Sequence, residues 1–485
     1  MLFSSITFLY YFLPLTLLIY FVMPRKGKNA VLLAASFLFY FWGEPKYCFL
    51  MAGAILTGYC SGILIERLRG SRYRAPVLAA ALGILLLLLG IFKYLDFFIQ
   101  CINSAFGSNI ALVKLALPIG ISFYMFQIVS YCIDVYRDEV KAEYNILDFA
   151  MYVSLFPQLI AGPIVRYETV SAEIKHRTHS FEKVSAGIGR FVIGLCKKVL
   201  IADSFGLLVS QLEALEGMGT LGYWLIACAY TMQIYFDFSG YSDMAIGLGG
   251  IFGFTFPENF NYPYISRSIT EFWRRWHMTL GGWFRDYVYI PLGGNRVSLL
   301  KWFRNVLIVW ALSGLWHGAA MNFVIWGVYY GIILILEKLF LGKLLKHLPV
   351  ILQSIYTMLL VIIGFAIFRT EDLAQVLMQL KGMLGFYGSG ASVQTGQICL
   401  YYLKSYAVLF IISIIGATPV IKWLFTKILE FEPDNSKLSE SGRKICMAAK
   451  TAFIYVKPVF YILCMVVVTA YLLNGSFNAF LYFRF

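Results

Sequence analysis

The chain has 485 residues, of which 60% are hydrophobic, 18% aromatic and only 14% charged, with a mean hydropathy of +0.73. A soluble globule carries an apolar share nearer ~45–50%, so these values exclude one and point to a polytopic membrane protein. The formal charge of +14 would suggest nucleic acid in a soluble domain. Here Lys and Arg lie mainly in short loops between apolar runs, where topology and anionic lipid headgroups account for them, so membrane lipids and no nucleic acid are the expected partners.

In chain order, apolar runs able to cross or enter a bilayer core of about 30 Å recur from end to end. They fall near 5–23, 30–42, 45–65, 75–92, 112–135, 148–165, 186–210, 222–253, 303–315, 319–341, 350–368, 404–426 and 452–473. The runs at 30–42 and 303–315 are short and the one at 148–165 is interrupted by proline. These are expected as re-entrant or half-length helices, leaving about eleven full spans in an all-α polytopic membrane fold. No internal repeat and no appended soluble domain is visible, so 1–485 reads as one transmembrane domain. Its motif-bearing core covers about 112–340, with peripheral helices over 1–92 and 350–485.

The N-terminal MLFSSITFLYYFLPLTLLIYFVMPRKGK has no basic region ahead of its apolar run and no small-residue cleavage site, so it reads as a retained first helix. Pro24, Arg25, Lys26 and Lys28 mark its cytoplasmic end. The positive-inside rule then puts the N-terminus and GEPKY (43–47) outside, and ERLRGSRYR (66–74) and YRDEVKAEYN (136–145) inside. The polar stretch 428–450, with Arg443, Lys444 and Lys450, is expected inside as well. Nine cysteines are scattered through apolar segments with no metal-ligand spacing and read as core thiols.

Four segments carry polar chemistry into this apolar chain. In FPQLIAGPIVR (156–166), Pro157, Gly162 and Pro163 break the helix twice. Broken backbone at membrane depth must be buried in protein or line a cavity, so this segment is a candidate cavity wall. In QIYFDFSGYSDMAIGLG (233–249), Asp237 and Asp243 sit inside a helix-length apolar stretch. A carboxylate at a helix centre costs roughly 2.5–3.5 kcal/mol even on the insertion scale, so each needs a partner or a proton. Arg274, Arg275 and neighbouring Ser and Tyr hydroxyls are the expected partners, in a structural polar network rather than a catalytic one.

Segment 257–296 combines Trp273, Trp276 and Trp283 with Arg267, Arg274, Arg275, Arg285 and Arg296, the composition of an interfacial helix, but it also holds His277. The fourth segment is LSGLWHGAAMNF, where Gly314 and Gly318 give close backbone access to His317. Of the five histidines, His176, His179 and His347 lie in polar or basic loops and read as solvated. An ionisable group inside the membrane is a functional hypothesis by default, and a neutral imidazole can serve as base, acid or orienting group. One such histidine would ordinarily be a satisfied core residue. Two in this setting argue for a site.

Several long stretches occur in the same order as in a known family: FPQLIAGPI (156–164), GLCKKVLIAD (194–203), YFDFSGYSDMAIGLG (235–249), FPENFNYPY (256–264), FWRRWHMTLGGWFRDYVYIPLGGNR (272–296), LWHGA (315–319) and FLYFRF (480–485). In these the chain resembles the membrane-bound O-acyltransferase family, and within it the branch of the alginate O-acetylation protein. The resemblance implies helices around a central tunnel, His317 as the catalytic histidine and His277 at the second polar position. It also implies an acyl group, in this branch acetyl, passed from a cytoplasmic thioester (acetyl-CoA or another acyl thioester) across the bacterial cytoplasmic membrane. The acceptor would be an extracytoplasmic polysaccharide, a separate extracytoplasmic acyltransferase would be the partner, and no cofactor or metal would be bound.

On this view His317 deprotonates an acceptor hydroxyl or takes the acyl group transiently while His277 orients or polarises. Trp316 and Asn322 are candidate hydrogen-bond donors to the oxyanion, and Arg274, Arg275 and Arg285 candidate clamps for donor phosphates. Within the family the rival is D-alanyl transfer to teichoic acid from a carrier protein. A rival from another class, a transporter or flippase, would carry matching interrupted helices in two halves, and none is apparent.

Overall fold

Inside a bilayer a chain must satisfy its backbone N–H and C=O groups internally, which favours helix wherever the sequence is apolar. The computed structural model describes residues 2–386, 391–430 and 440–474, and among these the chain is helical with no strand. The polar stretch 428–450 falls partly outside the described residues, and the terminal FLYFRF wholly outside.

Five helices are both long and apolar enough to cross a membrane: Cys48–Arg67, Arg74–Phe106, Met321–Leu345, Val350–Phe368 and Tyr455–Leu473. A sixth span arises if Val393–Ser405 and Ala407–Gly416, bent by 50° at their junction, count as one. The expected eleven spans are therefore not found among the described residues. Part of the shortfall is length, since Phe8–Val22 and Ile121–Tyr136 are apolar but short. Part is composition. Thr220–Ile251 has 32 residues, so it is ~48 Å long, yet it is enclosed by protein along most of its length and carries Asp, Ser and Gly where a lipid-facing helix would carry Leu.

This enclosed helix is the hub of the fold. It lies against Phe181–Cys196 in backbone contact: a Cβ on Gly187 would come within 2.6 Å of the Gly247 carbonyl, and one on Gly194 within 2.5 Å of the Gly240 carbonyl. Only glycine permits such an approach. The closeness brings Arg190, Lys197 and Lys198 to the carboxylates of the hub. Lys198 bridges Asp203 at 2.7 Å and Asp237 at 2.8 Å, with all three side chains buried. Asp243 is held by Lys197 at 2.6 Å and Arg190 at 2.9 Å, and Arg190 continues to Glu258. The partners of Asp237 and Asp243 thus come from GLCKKVLIAD and the helix before it, not from Arg274 and Arg275, which lie on a different element.

Residues 155–165 are buried throughout. They pack inside the protein and line neither of the two cavities described below, and the Ile164 N–H donates to Thr279 Oγ1 at 3.1 Å, bracing the loop that carries His277. The loops 66–74 and 136–145 share one face, as expected: Arg69 and Arg74 both bind Asp138, and Arg137 donates to the Asp286 carbonyl at 3.2 Å. Residues 285–286 therefore belong to that face too. His176 and His347 are exposed, and His179 is half-buried with its Nε2 2.9 Å from the Tyr20 hydroxyl. Cys48, Cys132 and Cys399 are core thiols, but Cys60 is exposed.

Candidate active site

His277 stands between two short helices, Ile269–Arg275 and Met278–Phe284, in the left-handed conformation with φ 44° and ψ 51°. For a side chain with a Cβ this backbone costs about 1–3 kcal/mol and persists only where its surroundings hold it. Here they do. The Met278 N–H donates to the Asn259 carbonyl at 3.0 Å, and the Asn261 N–H to the Arg275 carbonyl at 2.9 Å. Buried Asn259 then organises the imidazole: its Oδ1 accepts from the Thr279 hydroxyl at 2.9 Å and the Thr279 N–H at 3.4 Å, and lies 3.1 Å from His277 Nδ1. Its Nδ2 donates to Ser242 Oγ at 3.2 Å. Because the Thr279 backbone can only donate, this atom of Asn259 is the oxygen, and His277 Nδ1 carries the hydrogen. Nε2 is left as the basic nitrogen of the neutral ring.

His317 is the last residue of Leu299–His317. This helix and Met321–Leu336 meet backbone to backbone: a Cβ on Gly314 would strike the Phe323 carbonyl, and one on Gly327 the Trp310 carbonyl. The His317 ring packs edge-on to Trp326 and Phe368, each at 5.2 Å between centroids. Its centroid lies 6.3 Å from that of His277, with Trp316 edge-on to both at 5.1 and 5.7 Å. Both imidazoles are buried, at 5% and 2% exposure, so they occupy one aromatic cage at the centre of the protein.

A cavity of about 1090 Å³ reaches this cage from the face that carries residues 285–286. His277 lines it, together with Trp273, Gly281 and the inner side of Leu299–His317, and its cations are Arg267, Arg274, Arg285, Lys338 and Lys346. His317, Trp316 and Asn322 do not line it. A second, smaller cavity of about 190 Å³ lies just past the other end of Leu299–His317, bounded by Lys93, Asp96, Gly318, Ala319 and Glu371. The two have no lining residue in common.

The expected site residues are thus partly gathered and partly dispersed. His277, His317 and Trp316 come together. Arg274 and Arg285 line the large cavity, although Arg285 is also chelated by Asp286 at 2.7 and 3.1 Å. Arg275 is turned away, held by Glu271 at 2.9 Å and the Asn261 carbonyl at 3.1 Å. Asn322 uses its amide on the carbonyls of Ile367 and Phe368, both at 3.4 Å, and so fixes the helix end whose Phe368 packs on His317. Asp237 and Asp243 stay in their ion pairs within the hub.

Four residues that the sequence reading gave no role at this site belong here: Asn259, Lys93, Trp273 and Trp326. The indole N–H groups of Trp273 and Trp326 are buried with no acceptor among the described residues, one on the cavity wall and the other in the ring packed on His317. A lone lysine in an otherwise apolar run was the available signal for Lys93. Among the described residues no cluster of His, Cys, Asp and Glu could hold a metal ion.

The two imidazoles beside the large basic cavity form the candidate site, and comparison with known proteins shows the class of protein that holds it. The model of the membrane-bound O-acyltransferase family matches residues 113–344. A probable alginate O-acetylase, AlgI, of Pseudomonas aeruginosa is 45% identical over 392 residues, 80% of this chain and 75% of that protein. A peptidoglycan O-acetyltransferase of Helicobacter pylori is 35% identical over 80% of each chain, and a teichoic acid D-alanyltransferase of Bacillus subtilis 32% identical over 52% of this chain and 68% of its own. The chain belongs to the membrane-bound O-acyltransferase family and is a multi-pass membrane acyltransferase, not a transporter without covalent chemistry.

Proposed function

We propose that this enzyme passes an acetyl group from a cytoplasmic thioester to a hydroxyl acceptor on the other side of the bacterial cytoplasmic membrane, for O-acetylation of a polysaccharide. The observation that carries this reading is the imidazole pair, one ring lining a basic cavity of about 1090 Å³ and the other ending a helix whose far side opens to a second pocket. The cavity's face holds Arg69 and Arg74 and is cytoplasmic by the positive-inside rule. Its cations suit the phosphates of acetyl-CoA or of a carrier-bound thioester, with Arg274 the best placed of the expected clamps.

In the reaction His317 takes the proton of the acceptor hydroxyl as its oxygen attacks the thioester carbonyl. The new C–O bond forms, the C–S bond breaks, and the departing thiolate recovers the proton as a thiol. Charge gathers on the carbonyl oxygen before the C–S bond breaks, and donors already in place stabilise it without reorganising. The indole N–H groups of Trp273 and Trp326 fit that role better than Asn322, whose amide is committed elsewhere. His277, with Nδ1 tied to Asn259, directs its basic nitrogen as an orienting group. The larger share of the chain covered by the O-acetylating relatives favours acetyl over D-alanyl transfer. A separate extracytoplasmic acyltransferase completes delivery to the polysaccharide.

The test is transfer from labelled acetyl-CoA by the purified protein in liposomes, comparing wild type with folded His317→Ala and His277→Ala. Loss of label release in His317→Ala is expected. Wild-type turnover in both variants would remove the catalytic assignment.

A further inference from the structure

The Arg74–Phe106 span contains a π-turn at Gly90–Tyr94, and the two residues that end it reach across to the helix bearing His317. Lys93 Nζ donates to the Trp316 carbonyl and, at 3.1 Å, to Ser122 Oγ. The Tyr94 hydroxyl donates to the Leu315 carbonyl at 2.9 Å. These are carbonyls of the last turn of Leu299–His317, where a helix has no N–H donors of its own to offer them and where its dipole favours a cation. A π-turn inserts one residue into a helix, which turns the following residues by ~100° about the axis. The turn thereby sets where Lys93 and Tyr94 face.

Lys93 is buried, at 9% exposure. Its hydrogen-bond partners among the described residues are neutral, a hydroxyl and a carbonyl. An ammonium so placed costs several kcal/mol, and an apolar side chain of similar length would fill the space without that cost. Packing alone does not account for it. Lys93 also lines the 190 Å³ pocket beside Gly318, the residue after His317.

We infer that Lys93 is a positioning residue for acyl transfer: by gripping the carbonyl of the residue before His317, it fixes the imidazole, whose neighbour Gly318 lines the smaller pocket. The inference rests on the assignment of His317 made above. Its test is kcat and donor KM for labelled acetyl transfer in liposomes by Lys93→Met, Lys93→Arg, Ser122→Ala and Tyr94→Phe, each with its unfolding temperature. Lys93→Met is expected to lower kcat about 30-fold, with donor KM within about 2-fold of wild type because Lys93 does not line the donor cavity. Lys93→Arg, which keeps the charge and the donors, should recover part of that loss. Tyr94→Phe, which removes one neutral hydrogen bond, should cost about 3-fold in kcat.

If Lys93→Met does not fold, Ser122→Ala decides, with an expected fall of about 5-fold in kcat at unchanged donor KM and unfolding temperature. Wild-type kcat in the folded Lys93→Met variant, or a loss that falls wholly on donor KM, overturns the inference. So does wild-type kcat in Ser122→Ala when Lys93→Met cannot be read. An active His317→Ala would instead show that the prior assignment had failed. An inactive His317→Ala beside a fully active Lys93→Met would refute the role of Lys93 alone.

Discussion

The two openings beside the imidazole pair differ in size, in charge and in the part of the site they meet. The opening toward residues 285–286 encloses about 1090 Å³, carries five Arg and Lys side chains against two glutamates, Glu271 and Glu337, and reaches His277. The one past Gly318 encloses about 190 Å³, with one lysine and two carboxylates, and stops next to His317. Under the proposed function, a donor the size of a nucleotide thioester would take the first, and a hydroxyl on a slender acceptor the second. On that reading the inequality separates the duties of the histidines, since a change on one side should disturb one substrate and spare the other.

The largest effect should come from the element between the openings. His317→Ala is expected to lower kcat for labelled acetyl transfer by about 10²–10⁴-fold, the usual worth of a general base; a folded variant with unchanged kcat would erase the distinction between the sides. Next comes Asn259→Leu, which leaves His277 in place but removes the acceptor that fixes its tautomer, and a fall in kcat of about 10–100-fold is expected. Gly281 lines the large cavity, and a Cβ there would meet nothing nearer than the Trp273 carbonyl at 4.0 Å. Gly281→Phe should raise donor KM about 10-fold and leave the acceptor's KM alone, and equal changes in both would mean that the substrates share one entrance.

Arg274→Ala should raise donor KM about 3–10-fold with little change in kcat. An unchanged KM would dismiss the phosphate clamp. The smallest effect is expected on the same face but away from the openings. Hydrogen bonds from Arg74 and Arg69 hold the exposed Asp138 carboxyl below the usual carboxylate range. Its folded pKa is depressed, so its stabilisation is present above the unfolded carboxylate pKa and fades as pH falls through the folded value. Unfolding temperature should therefore drop slightly less on acidification in Asp138→Asn than in wild type, with activity unaffected.

Much of this architecture was legible in the sequence. The apolar runs mark the helices, and the two histidines among Trp and Gly mark the cage. Loop charges put 66–74 and 136–145 on one face because arginines and an aspartate must meet outside the bilayer. The number of crossings was not legible, because hydropathy cannot separate a helix that faces lipid from one that faces protein, as Thr220–Ile251 does. Nor were the partners of Asp237 and Asp243. Those depend on glycine pairs on two helices meeting, which brings Lys197 and Lys198 close. Asn259 sat inside a recognised motif, but its role arises only when the chain folds 18 residues back onto His277. Arg275 looked like its neighbour Arg274 and points elsewhere, since adjacent residues on a helix do not share a face.

The aromatic packing around the imidazoles has one more consequence. Trp283 stacks on Phe126 at 3.7 Å, Phe126 and Phe123 pack against Trp316, and Trp316 touches both histidines. None of these four rings lines either cavity, and the two cavities have no lining residue in common. A cell that stores energy as an ion gradient cannot tolerate a leak at each copy of a membrane enzyme. If an acetyl group passes here as proposed, these rings would act as electrical insulation, excluding hydrated ions while a small uncharged group is handed on.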